Sequence, residues 1–229
     1  AEIYGAAGEG ADAEIISLVA DMLDSFGLDF EIRINNRKLI EGFLLGIGVN
    51  KKSLMDVLRV IDKKSKITEK DMATEFAKCG LKSGQIKKIL KFCQLTSLKE
   101  VKTSMPKNGL SEQGLAELEN LFSLLASYRK SDKCRLDLGI VRGIDYYTGV
   151  VYEAWVKDEE KDAEGVQLLG AVAGGGRYDD LLGIYGKEMP ATGIAGGIER
   201  LLLSLEKNNL LPRIQSSPKF FLAYATPDV

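Results

Sequence analysis

Arg-Gly-Ile-Asp-Tyr-Tyr-Thr-Gly, residues 142 to 149, opens a run through Val156 in which side chains alternate between the two faces expected of a strand. A polar segment from 157 to 165 follows, and then a second apolar run from 166 to 173. The pattern predicts a long antiparallel hairpin. An arginine and two neighbouring tyrosines therefore precede a predicted strand.

Two glycine-rich elements follow the predicted hairpin. Residues 174 to 179 read Gly-Gly-Gly-Arg-Tyr-Asp, and residues 193 to 200 read Gly-Ile-Ala-Gly-Gly-Ile-Glu-Arg. The second element predicts a strand over 192–198 and a helix over 199–205. In order and spacing, residues 142–149 and 174–179 resemble the two signature motifs of histidyl-tRNA synthetases. Residues 193–200 resemble motif 3 of the class II aminoacyl-tRNA synthetases.

The resemblance implies an α+β fold, in which an antiparallel sheet with flanking helices is interrupted by an all-helical insertion. Catalytic-core segments are expected at 1–49 and 131–211, and the insertion at 50–130. Residues 212–229 are expected to form a linker and the first strand of an anticodon-binding domain.

The first residues, Ala1 to Gly5, resemble the end of the last strand of class II motif 2. A helix is predicted from Asp12, as its N-cap, to Gly27, and a strand follows from Phe30 to Asn35. The resemblance implies that motif 1 and most of motif 2 precede Ala1. We therefore expect a truncated catalytic fragment that is inactive by itself.

Composition restricts the possible chemistry. The chain of 229 residues has no histidine, which excludes Ser-His-Asp and Cys-His catalysis and leaves arginine, tyrosine and carboxylates. The cysteines are too few and too scattered for a disulfide framework, so we expect reduced thiols at Cys79, Cys93 and Cys134. No apolar stretch approaches a membrane span and no signal peptide is evident, which predicts a cytoplasmic protein without a membrane partner.

The predicted insertion is strongly basic. Between Lys51 and Thr103 basic residues outnumber acidic ones by eight, whereas the chain as a whole has a net charge of -2. Helical spacing buries the stripe that contains Ile86 and Ile89 and leaves three lysines outside: Lys87, Lys88 and Lys91. Either these lysines form a solvated face or they contact RNA phosphates. The resemblance favours tRNA, because the family's inserted domain approaches the acceptor stem.

Activation of an amino acid by ATP places negative charge on a crowded phosphorus, which fixed guanidinium groups stabilise best. The resemblance assigns Arg142 to the α-phosphate as the catalytic residue and Arg200 to the γ-phosphate. A salt bridge to Asp137 or Asp145 is the structural alternative for Arg142. Arg177 is either a further ATP contact or a lock on its own glycine loop.

Recognition of an imidazole requires polar partners for both ring nitrogens and a flat apolar wall. The resemblance assigns the carboxylate to Glu2 and the phenol to Tyr147, and places Gly193 where it leaves room in the pocket floor. Tyr146 and Tyr178 either line this pocket or belong to the core.

The resemblance implies a histidine–tRNA ligase with ATP, histidine and tRNA(His) as substrates. It further implies Mg²⁺ arriving with ATP, with unknown ligands, and a homodimer in the intact protein. A noncatalytic regulator of synthetase-like fold is the alternative, although such relatives tend to lose the motif 3 arginine. A plain RNA-binding module leaves Arg142, Tyr147 and Arg200 unexplained.

Overall fold

A computed structural model describes residues 1–142, 146–157 and 169–211. The described part contains six strands and eight α-helices. The strands are β1 (Glu2–Tyr4), β2 (Phe30–Asn36), β3 (Cys134–Leu136), β4 (Val150–Val156), β5 (Ala173–Arg177) and β6 (Ala191–Gly196). The helices are α1 (Glu9–Ser25), α2 (Arg37–Gly46), α3 (Leu54–Ile61), α4 (Glu69–Lys78), α5 (Ser83–Phe92), α6 (Leu98–Ser104), α7 (Gly109–Ser127) and α8 (Ile198–Lys207).

The strands form one sheet in the order β1-β6-β5-β4-β2-β3. Every pairing in it is antiparallel except that of β2 with β3, so the sheet is mixed rather than purely antiparallel. The antiparallel return after β4 is confirmed by its pairing with β5, but β5 covers the glycine run Ala173–Arg177 rather than 166–173, because residues without a Cβ fit where other side chains rest on the strand. Residues 158–168, which include most of the polar segment 157–165, lie outside the described residues, as do the expected linker and strand at 212–229.

The two faces of the sheet have different surroundings. Alternate residues of β2 and β4, including Ile32, Ile34, Tyr152 and Ala154, are buried in the main apolar core together with residues of α1 and α7. The residues between them, including Glu153, point to the opposite face. The second face carries Glu153 together with a smaller apolar cluster that includes Tyr147, Val151 and Tyr178, and this face holds the candidate site.

Helix α1 begins earlier than the sequence indicates. Its first residue is Glu9, and Asp12 is fully buried in the first turn rather than serving as the N-cap. The prediction failed because an aspartate near a helix start is usually a cap, whereas this one is buried and pairs with Arg177. The predicted end is confirmed, since Gly27 has φ 73° and follows the last turn.

Short helices occupy the predicted insertion. The spacing of Ser53 with Asp56 and of Thr68 with Asp71 predicts a capping box at each serine or threonine, with Asp in place of Glu. The hydroxyl of Thr68 accepts a hydrogen bond from the backbone N–H of Asp71, as predicted. The same prediction is wrong for Ser53, because a 3-10 turn capped by Asn50 precedes α3 and removes the need for a cap. Helices α3, α4 and α5 bury their apolar stripes in the core shared with the sheet. The boundaries 50–130 stay a prediction.

Helices α2 and α7 cross at very short range. A Cβ at Gly42 would lie 2.4 Å from the backbone nitrogen of Ser111, and one at Gly114 would lie 2.3 Å from that of Leu39. Real Cβ atoms do not approach backbone this closely, so the crossing requires glycine at both positions. This contact ties the helix that follows β2 to the helix that precedes β3.

The three cysteines are free, as expected. No helix in the described ranges is long and apolar enough to cross a membrane.

Candidate functional site

The floor of the site is the glycine run of β5. A Cβ at Gly174 would lie 2.3 Å from Nη1 of Arg142, and a Cβ at Gly176 would lie 2.9 Å from the ring of Tyr147. Both side chains therefore rest directly on backbone, on the face away from α1. Any larger residue at either position would displace them, so the glycines have a steric reason as well as a conformational one.

Arg142 is held in an unusual conformation. Its φ is 49°, in the left-handed region that non-glycine residues rarely adopt, and such strain clusters at functional sites. Nη1 donates to Oε1 of Glu153 at 3.1 Å, and the guanidinium carbon lies 5.8 Å from the Tyr147 ring centroid. Burial lowers the pKa of Arg142, but Tyr147 and Glu153 outweigh it and the net shift is upward. The guanidinium therefore stays charged.

Among the described residues, Arg142 forms an ion pair that sequence reasoning did not propose. The ion pair is with Glu153, whereas Asp137 pairs with Lys64 at 3.2 Å. Asp145 lies outside the described residues. Sequence reasoning missed Glu153 because it appears there as an ordinary outward-facing residue of a strand.

Two polar residues at the junction of β2 and α2 support the segment that leads into Arg142. The amide of Asn35 donates to the carbonyl of Ile140 at 2.7 Å, and Nη1 of Arg37 lies 3.4 Å from the carbonyls of Val141 and Arg142. Asn35 and Arg37 are both buried. In the sequence these residues appear only as the run Asn-Asn-Arg at the end of an apolar strand. Polar residues at such a position are commonly exposed, so the run does not reveal that these side chains are buried.

Three tyrosines form a cluster beside the glycine floor. The rings of Tyr146 and Tyr147 are 4.5 Å apart between centroids, and those of Tyr146 and Tyr178 are 5.9 Å apart with edge-to-face geometry. The hydroxyl of Tyr146 donates to that of Tyr147 at 3.3 Å. Tyr147 and Tyr178 are buried, and burial raises the pKa of Tyr147 to about 12. The cluster offers neutral phenols on a flat apolar wall.

Glu2 lies at the far end of this cluster. Its carboxylate accepts a hydrogen bond from the hydroxyl of Tyr178 at 2.9 Å and another from Tyr4. These two hydrogen bonds lower the pKa of Glu2, and the bond from Tyr4 has the larger effect. A Cβ at Gly193 would lie 2.7 Å from Cγ of Glu2 and 3.1 Å from the Tyr178 hydroxyl, so this glycine makes the room they occupy. Sequence reasoning missed Tyr4.

The two other arginines have different environments. Arg177 is buried, and its Nε and Nη2 both lie 2.9 Å from Oδ2 of Asp12, while Nη2 also donates to the carbonyl of Gly8 at 2.6 Å. It thus ties the loop before α1 to β5. Arg200 is exposed, and its Nη1 donates to the carbonyl of Ala171 at 2.9 Å. ATP contacts by both arginines stay predictions.

Strand register orders these groups along the floor. Gly193 of β6 pairs with both Glu2 and Gly176, Ala195 pairs with Gly174, and Gly196 pairs with Ala173. The carboxylate and phenols therefore lie at one end of the floor, Arg142 lies over Gly174, and Arg200 starts just beyond the other end. The structure brings together all the histidine-pocket residues proposed from sequence, but it places Arg177 on the opposite face.

The remaining candidates lie in the helical insertion. Lys87, Lys88 and Lys91 are exposed on α5, while Ile86 and Ile89 are buried beneath them, as the helical spacing predicts. Exposure fits a phosphate contact and a solvated face equally well.

The family model described as histidyl-tRNA synthetase matches residues 1–201. The chain belongs to the histidyl-tRNA synthetase family. Among curated members, the histidine–tRNA ligases of Pyrococcus abyssi and Thermococcus kodakarensis are 34% and 36% identical to it, each over 96% of this chain. The aligned region is 51% and 50% of those proteins, so the chain spans about half the length of the curated relatives it matches.

A solved histidyl-tRNA synthetase from Nostoc sp. PCC 7120 has the same fold. It superimposes with a TM-score of 0.80 at 30% identity, over 92% of this chain and 50% of that protein. The α+β architecture predicted from the motifs is thereby confirmed as that of a histidyl-tRNA synthetase catalytic domain.

Proposed function

We propose that a full-length enzyme containing this chain is a histidine–tRNA ligase, which activates histidine with ATP and transfers it to tRNA(His). One observation carries the proposal. The fixed guanidinium of Arg142 and the carboxylate and phenol of Glu2 and Tyr147 lie on the same glycine floor, in the order that an amino acid joined to a phosphate requires.

In the activation step, the carboxylate of histidine attacks the α-phosphorus of ATP and pyrophosphate leaves. Arg142 is the proposed catalytic residue, because its planar fork stays charged and can bind two phosphate oxygens. Removing one preorganised donor of this kind typically slows a reaction about 100- to 1,000-fold. The contact with Glu153 and the left-handed backbone support a preset position for this group.

Histidine would lie over the tyrosines with its imidazole toward Glu2. An ionised carboxylate accepts from one ring N–H, and a phenol at Tyr147 serves the other nitrogen. Phenylalanine would leave these polar groups without partners, and such mismatches discriminate strongly between substrates. Tyr146 and Tyr178 form the wall, and Gly193 keeps the floor open.

Arg200 is proposed to contact the γ-phosphate, after release of the Ala171 carbonyl. For Arg177 the burial and the Asp12 pair support the structural role over the ATP contact. Mg²⁺ is expected to arrive with ATP. In the described ranges no group of three or more acidic or cysteine side chains could hold a metal ion, so we assign Mg²⁺ no protein ligands and no step of the reaction.

For tRNA we propose that Lys87, Lys88 and Lys91 contact backbone phosphates. The cationic excess of the segment from Lys51 to Thr103 and the exposure of the three lysines support this contact. A homodimer and a cytoplasmic location are proposed on family membership alone.

Pyrophosphate exchange tests the proposed activity. A full-length enzyme containing this chain should exchange labelled pyrophosphate into ATP in the presence of histidine, and not with glutamine or phenylalanine. The regulatory alternative predicts histidine binding by calorimetry without exchange. Exchange with another amino acid, or none together with no histidine binding, would contradict both functions.

A further inference from the structure

Glu153 is a partly buried carboxylate whose two oxygens are both engaged. Oε1 accepts from Nη1 of Arg142 at 3.1 Å, and Oε2 accepts from the indole N–H of Trp155 at 3.2 Å. Its side chain is only 14% exposed. Burying a charge without a partner is unfavourable, so the two donors stabilise the carboxylate in this partly buried position.

Glu153 is the charged partner of the Arg142 guanidinium, which also contacts Tyr147. The Nε atom of Arg142 is buried and has no hydrogen-bond partner among the described residues. Beneath it, Gly174 offers only backbone. The floor therefore limits how deep the guanidinium can lie, while the ion pair with Glu153 sets its direction.

The position of Glu153 is itself supported from β2. The guanidinium carbon of Arg33 lies 4.1 Å from the centre of the Trp155 ring, and Nε of Arg33 lies 2.7 Å from Glu31. A cation over the indole restrains the ring, and the ring N–H in turn restrains the carboxylate. A continuous line of contacts thus runs from β2 to Arg142.

We infer that Glu153 is a positioning residue for amino-acid activation, acting through Arg142; the inference rests on the proposed function. Its charge holds the guanidinium where the α-phosphate develops negative charge. The same charge offsets the attraction of Arg142 for ATP before reaction. By analogy with the outer partners that orient metal ligands, we expect removal of this carboxylate to change activity about 10- to 100-fold.

The test is Glu153→Gln in a full-length enzyme containing this chain. The kcat of histidine-dependent pyrophosphate exchange should fall about 10- to 100-fold. The KM for histidine should not change, and the KM for ATP should stay constant or fall, because the substitution removes a negative charge beside the polyphosphate. A purely structural role would instead raise both KM values or leave kcat intact, and either result would overturn the inference.

A matched control is Glu117→Gln. Glu117 pairs with Lys38, with side-chain exposures of 15% and 23%, against 14% and 24% for Glu153 and Arg142. It lies on α7, away from the glycine floor, so kcat should stay at the wild-type value. Trp155→Phe, which keeps the ring and removes its N–H, should lower kcat in the same direction by about 5-fold. It provides the readout if Glu153→Gln fails to fold.

A double-mutant cycle separates action through Arg142 from an independent effect. In an Arg142→Lys background, Glu153→Gln should have little further effect on kcat, since the group it positions has already been replaced. An equal fall in both backgrounds would overturn the inference while leaving the proposed function intact. An inactive wild-type enzyme would overturn both.

Discussion

Oδ2 of Asp12 lies 2.9 Å from both Nε and Nη2 of Arg177, in the interior between α1 and β5. Burial raises the pKa of Asp12 even though Arg177 opposes the shift. The ion pair therefore connects the two elements but contributes little net free energy to folding. Removing one partner has a much larger effect, because it leaves a lone buried charge, which is strongly unfavourable.

Asp12→Asn should lower the free energy of unfolding by about 3 kcal/mol, because it leaves the Arg177 guanidinium without its buried counterion. Denaturation in urea measures the change. Glu14→Gln, an exposed position on the same helix, is the control and should change stability by less than about 0.5 kcal/mol. Equal effects of the two substitutions would show that the pair has no special role.

Glycines in two helices should respond to alanine with opposite signs. Gly114→Ala would place Cβ 2.3 Å from the backbone of Leu39, so we expect a loss of about 1 to 3 kcal/mol. Gly84→Ala, on α5, has no atom within 4 Å and should gain about 0.5 to 1 kcal/mol through reduced freedom of the unfolded chain. Thermal unfolding of both variants checks this, and a stabilised Gly114→Ala would contradict the close helix crossing.

Replacing the proposed catalytic cation should affect chemistry more than binding. In a full-length enzyme containing this chain, Arg142→Ala should abolish histidyl-adenylate formation and leave the Kd for histidine within a few-fold of the wild-type value, since the charge acts mainly in the transition state. Pyrophosphate exchange and calorimetry measure the two quantities. Exchange near the wild-type rate would remove Arg142 from the mechanism.

The lysines of α5 should affect tRNA alone. Substituting Gln for Lys87, Lys88 and Lys91 should raise the KM for tRNA, and each lysine that binds a phosphate should reduce the salt slope of binding by about 0.7 to 0.9 when it is replaced. Activation of histidine should not change. A triple variant with the same charge change serves as control at lysines already paired with glutamates: Lys63, Lys78 and Lys102. Equal effects of both triple variants would indicate general charge rather than direct binding.

The ionisation of Glu2 should depend on Tyr4. Hydrogen bonds to the ionised form hold its pKa below the usual 4.5, and that from Tyr4 is the largest cause. The stabilisation is therefore complete above the unfolded-state pKa and is lost as pH falls through the lower folded-state value. Tyr4→Phe should raise the pKa of Glu2, as measured by a carboxyl NMR titration. Tyr128→Phe, at a similarly exposed tyrosine that follows the last turn of α7, should not.

Sequence reasoning succeeded where one residue type carries the signal. Alternation located β2 and β4, glycine marked the end of α1, and the arginine and tyrosine motifs named side chains that the structure brings together on the glycine floor. Sequence reasoning failed where the environment of a residue depends on a partner that is distant in the sequence. Asp12 has the sequence context of a cap, yet Arg177 lies 165 positions away, and no local pattern reveals that pairing. Glu153 was missed for the same reason, because its ion pair depends on Arg142, which rests above Gly174.

Adjacent residues of β4 serve opposite purposes, since Tyr152 is in the core and Glu153 is in the site. Side chains alternate along a strand, so a slip of β4 by one position would exchange the two environments. The carboxylate would then lie against apolar helix residues and the large phenol would cover the glycine floor. One added or deleted residue between Val150 and Val156 would therefore disrupt the packed core and the glycine floor together.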